Sequence, residues 1–85
     1  MENFQGVCRK KFMEFCNTVN VYNHQGYEEI NYEDTFVVWC SKTLQNYKCL
    51  VSTIYNPLYA EYTYNGDMQE LYEDVYKKIS NQCFE

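Results

Sequence analysis

The feature that most constrains this chain is the stretch from Phe36 to Tyr64, where β-forming residues run on with only short polar interruptions. Phe36-Val37-Val38-Trp39-Cys40 is apolar at both parities until Ser41. A strand with one wet face would alternate more cleanly, so this one is expected to have its second face at least partly covered. The polar exit Lys42-Thr43-Leu44-Gln45-Asn46 predicts a turn. Lys48 to Tyr55 then alternates Cys49, Val51, Thr53 and Tyr55 against Leu50, Ser52 and Ile54. Asn56-Pro57 breaks the ladder, because proline has no amide donor and pushes its predecessor toward extended geometry. Leu58 to Tyr64 sets Leu58, Ala60, Tyr62 and Tyr64 against Tyr59, Glu61 and Thr63. Strands are predicted over about 35–42, 48–55 and 58–64, and their short links favour an antiparallel meander.

Two amphipathic segments flank this meander. From Glu2 to about Asn20, spacings of three and four place Phe4, Cys8, Phe12, Phe15, Cys16 and Val19 on one helical stripe. At the other end, Asn65-Gly66-Asp67 closes the third strand, and Met68, Leu71, Tyr72, Val75, Ile79 and Cys83 draw a second stripe. Asp67 with Glu70 reads as a capping-box pair, and Glu73/Lys77 and Asp74/Lys78 as i,i+4 pairs, so a helix is expected over about 67–83. Between the first helix and the sheet lies an acidic connector, residues 21–34. The expected architecture is a two-layer α+β sandwich, with a three-stranded antiparallel meander and both terminal helices on one face. Within it, Phe36, Val38 and Cys40 are expected under the helices, and Trp39 on the far side.

Eighty-five residues suit one domain with one modest core. Ten tyrosines are the anomaly, and rings with polar tips suit the rim of a small core or a binding surface. A formal charge of −5 argues against phosphate-backbone binding, and the Arg9-Lys10-Lys11 cluster points in three directions on a helix. The start, MENFQGVCRKKF, has no apolar h-region and no small-residue cleavage site, so no secretory signal is expected, and no apolar run is long enough to suggest a membrane-spanning helix. Five cysteines separated by gaps of 8, 24, 9 and 34 residues lack the close pairing of zinc ligands, so thiols in a reducing cytosol are expected.

No nucleophile elbow, phosphate-cradling glycine loop or H-E-x-x-H pair is present, and His24 is the single histidine. Adjacent carboxylates diverge rather than flank a substrate, so neither an enzyme nor a bound cofactor is expected. What remains is surface. The connector's Tyr27, Glu28, Glu29, Tyr32, Glu33 and Asp34, with Trp39, Tyr59 and Glu61 on the sheet, are the candidate residues for docking a partner with a basic surface. A homodimer seam is the alternative use of the sheet's far face.

The segments Val37–Thr53 and Tyr59–Ile79 carry Val38-Trp39, Lys42-Thr43-Leu44-Gln45-Asn46, Tyr64-Asn65-Gly66-Asp67, and Tyr72, Asp74, Tyr76, Lys77 and Lys78. In this pattern the C-terminal fifty or so residues resemble a family of short phage and prophage proteins of uncharacterised function. The resemblance transfers no functional residue. It implies a small accessory protein that binds a host protein, by analogy with inhibitors of CRISPR nucleases and other defence systems. The competing expectations are a small-molecule or nucleotide-binding module, such as a signalling-nucleotide sponge, and a binder of single-stranded nucleic acid.

Overall fold

In the computed structural model, which describes residues 3–23 and 28–84, the chain runs from helix α1 (Phe4–Asn23) through a 3₁₀ turn (Tyr32–Asp34) into four strands. These are β1 (Thr35–Thr43), β2 (Asn46–Thr53), β3 (Leu58–Asn65) and β4 (Glu70–Lys77). They form one antiparallel sheet in the order β1-β2-β3-β4. The molecule is α+β in two layers, with α1 lying across β1, β2 and β3.

The N-terminal stripe folds as its spacing predicts. Phe4, Cys8, Phe12 and Cys16 are buried, one turn apart, against Cys49, Val51, Ala60 and Tyr62 of the sheet. The rings of Phe4, Tyr47 and Tyr64 cluster at one end, with centroids 5.1 to 6.4 Å apart. The helix continues to Asn23, three residues into the expected connector. The rest of the connector's described part is tied back to it. Asn17 donates to the Ile30 carbonyl and accepts from the Ile30 amide, which seats Ile30 in the core. The Arg9 guanidinium donates to Thr35 Oγ1 and to the carbonyls of Tyr32 and Thr35.

The expected C-terminal helix is not formed; Glu70–Lys77 is a fourth strand and residues 78–84 are irregular. Three physical reasons account for the difference. Tyr72, Val75 and Tyr76 favour extended backbone, and Leu71, Glu73 and Val75 alternate with Tyr72, Asp74 and Tyr76. The free edge of β3 offers a full row of backbone partners, in register from Leu58↔Lys77 to Asn65↔Glu70. Finally, the Asn65 side chain accepts the amides of Asp67 and Met68, so the link is a tight turn rather than a helix start at Asp67. Met68 and Ile79, two residues of the expected stripe, are exposed.

A second correction concerns β1. Val37 pairs with Val51 and Trp39 with Leu50, leaving Val38 as the extra residue of a bulge. Below the bulge Thr35 and Val37 face the helix; above it Cys40 and Lys42 do. Phe36 therefore shares the outer face with Trp39, and Val38 is exposed. Of the trio expected beneath the helices, only Cys40 lies there.

Candidate docking face

Strand alternation and the observed register sort every sheet residue onto one of two faces. One face packs on α1. On the opposite face the cross-strand rows read Phe36, Ser52, Tyr59 and Tyr76; then Trp39, Leu50, Glu61 and Asp74; then Ser41, Lys48, Thr63 and Tyr72. No described element covers these rows. Phe36, Trp39, Tyr72 and Tyr76 keep between 43% and 52% of their surface exposed. Tyr59 and Tyr76 stack with centroids 5.4 Å apart, as a directly opposed pair should.

The charges on this face are unevenly matched. Glu61 and Asp74 are direct cross-strand partners, a like-charge juxtaposition that costs stability when nothing neutralises it. Lys48 Nζ sits 3.4 Å from Glu61 Oε1. Asp74, flanked along β4 by Tyr72 and Tyr76, has no ion-pair partner among the described residues. Glu70 lies at the end of the same strand face, where it accepts from the Tyr72 hydroxyl. Three carboxylates thus accompany one lysine on an aromatic surface.

The structure brings together only part of the expected docking set. Trp39, Tyr59 and Glu61 share the open face. Glu28, Glu29 and Glu33 are exposed, but Arg9 and Asn17 hold their segment on the helix layer. Tyr32 is half-buried with its ring 4.1 Å from the Arg9 guanidinium carbon, and Asp34 accepts the Asn31 amide. Both therefore shape the segment rather than present it. Tyr27 lies outside the described residues. Phe36, Tyr72, Asp74 and Tyr76 were missed. Strict alternation hid Phe36, and the helical reading of ELYEDVYK hid the other three, although that stretch alternates equally well.

Beneath the sheet the buried polar chemistry is structural. The Tyr62 hydroxyl donates to Glu73 Oε2 at 2.6 Å. Burial, then that carboxylate, pushes the phenol well above its ordinary range. Burial also pushes the Cys16 thiol up to about 11. Cys8 is pushed up as well, first by its hydrogen bond to Cys49 and then by burial. No group of three or more His, Cys, Asp or Glu among the described residues is arranged to hold a metal ion. No helix among them is long and apolar enough to cross a membrane.

The fold and its bare face define an open-faced α+β protein with helix α1 backing a four-stranded meander. By the match of its residues 5–85, the chain belongs to DUF6275, a family of unknown function. Neither curated proteins nor solved structures provide a match.

Proposed function

We propose that this chain is a phage-encoded accessory protein that binds a host protein in the host cytosol and inhibits or redirects it, as an anti-defence inhibitor of the anti-CRISPR kind. Its docking surface is the open sheet face, and its partner presents lysine or arginine side chains. The observation that carries this reading is the Glu61/Asp74 pair set among Trp39, Tyr59, Tyr72 and Tyr76. A cation placed there relieves the like-charge contact and lies against ring faces, two favourable terms that a neutral partner lacks. Two copies packed face to face would instead bring six carboxylates together against two lysines, which disfavours a homodimer through this surface. The phage origin rests on the resemblance carried by the C-terminal segments.

The test is affinity capture from host lysate with the wild-type chain and with Asp74→Lys and Trp39→Ala, each first checked for native circular dichroism. The expected result is one stoichiometric protein with a basic contact surface, retained by wild type, lost with Asp74→Lys and released by raised salt. Equal retention by Asp74→Lys, or release by nucleic acid digestion instead of salt, would sink the reading.

A further inference from the structure

We propose that Cys40 and Cys49 form a cross-strand dithiol site that hydrogen peroxide converts to an intramolecular disulfide. The inference stands apart from the docking face, on the register of the β1–β2 hairpin. Its loop is two residues, Leu44-Gln45, closing on the pair Thr43↔Asn46. In such a hairpin the closing pair exchanges both backbone hydrogen bonds, and bonded and non-bonded pairs alternate from there. Lys42↔Tyr47 is then non-bonded, Ser41↔Lys48 bonded and Cys40↔Cys49 non-bonded. Non-bonded pairs hold their Cα atoms about 4.5 Å apart and their side chains closest, at the short end of the window a disulfide accepts.

The two side chains also face the same way, into the helix layer, Cys49 within the core and Cys40 packed against it. Cys8 of α1 is buried in the same core cluster as Cys49. Interaction with Cys8 first, and then with Cys40, favours the thiolate at Cys49 against the opposing effect of burial, whereas burial pushes the Cys40 thiol up, so attack by Cys40 speeds as pH rises. Access differs between the pair. Cys49 is fully buried, whereas Cys40 is half-exposed and lines a cleft of about 470 Å³ with Asn3, Gln5, Ser41 and Lys42. A small neutral oxidant reaches Cys40 first.

The chemistry balances. The Cys40 sulfur attacks peroxide, the O–O bond breaks, and Cys40 becomes a sulfenic acid as one water leaves. The Cys49 sulfur then attacks the sulfenic sulfur, the S–O bond breaks, and the departing hydroxide takes the remaining thiol proton as a second water. Two thiols are oxidised to one disulfide and one peroxide is reduced to two waters.

The experiment treats the purified full chain with peroxide, alkylates it under denaturing conditions, and reads intact mass and a tryptic map. Cleavage after Lys11, Lys42 and Lys48 places Cys16 and Cys40 in one peptide and Cys49 in another, so fragment-ion sequencing of the linked pair shows which cysteine is joined to Cys49. Expected are a loss of about 2 Da before alkylation, two thiols withdrawn from alkylation, a Cys40–Cys49 linked peptide, and reversal by dithiothreitol. Cys40→Ser, a half-exposed position, is expected to lose the cross-link entirely. A disulfide joining Cys8 to Cys49, a cross-link that persists in Cys40→Ser, or oxidation only by increments of roughly 16 Da overturns the proposal.

Discussion

Leu44 shows how single residues set the ends of this sheet. Its φ of 56° is the left-handed conformation that a two-residue hairpin demands and an L-leucine resists, and its side chain is almost wholly exposed. Leu44→Gly removes that strain with no packing to lose, so it is expected to stabilise the fold by about 0.5–1 kcal/mol, after glycine's own entropy cost. Urea unfolding of the two proteins, compared at equal m-value, measures this. Nearby, Gly66 is required for a different reason. A Cβ there would stand 2.2 Å from the Gln45 carbonyl oxygen, because the β3–β4 turn packs on the β1–β2 turn. At this scale the sequence was partly readable. Trp39, Tyr59 and Glu61 follow from alternation, whereas Phe36 depends on a bulge with no marker in FVVWC, since neither glycine nor proline stands there.

Among elements, α1 and the first three strands could be read in advance because each has one dominant period and a turn residue at its end. Glu70–Lys77 satisfies both periods at once. Leu71, Tyr72 and Val75 fit a helical stripe, while Leu71, Glu73 and Val75 fit a strand face. Local pairs such as Glu73/Lys77 then tipped the reading toward helix. What decides against it is non-local: the unpaired edge of β3 and the closing Asn65 side chain. Secondary chemical shifts across residues 70–77 are therefore expected to be those of extended backbone, with cross-strand nuclear Overhauser contacts from Tyr62 to Glu73 and from Thr63 to Tyr72. Helical shifts there would dismantle the open face, because Tyr72, Asp74 and Tyr76 would no longer line one side.

For the whole molecule, α1 packed under the sheet gives a slab of 39 × 38 × 20 Å exposing 6143 Å². A folded chain of this mass exposes roughly 5,400 Å² on average, and the uncovered sheet face and the exposed irregular segment 78–84 both add to the excess. Cys16 and Tyr62 in the core beneath the sheet bind their protons tightly. Cys16 is raised from 9.0 to about 11, and Tyr62 is raised above 10.0. A group whose folded pKa exceeds its unfolded one contributes stability that is whole below the unfolded value and is lost as pH rises through the folded one. Through these two groups stability is thus expected to fall above pH 9.0, and more steeply beyond 10.0 as Tyr62 joins. Urea midpoints between about pH 8 and 11 measure the trend, and a flat profile would contradict the burial of these groups. The bulge at Val38 carries a consequence for descent within the family. Removing one residue from a strand ordinarily swaps inside for outside along everything beyond it. Val38 occupies no rung of the ladder, so a relative lacking it would keep Thr35 and Val37 inward and Phe36 and Trp39 outward. At this one position, gain or loss of a codon is silent to the core.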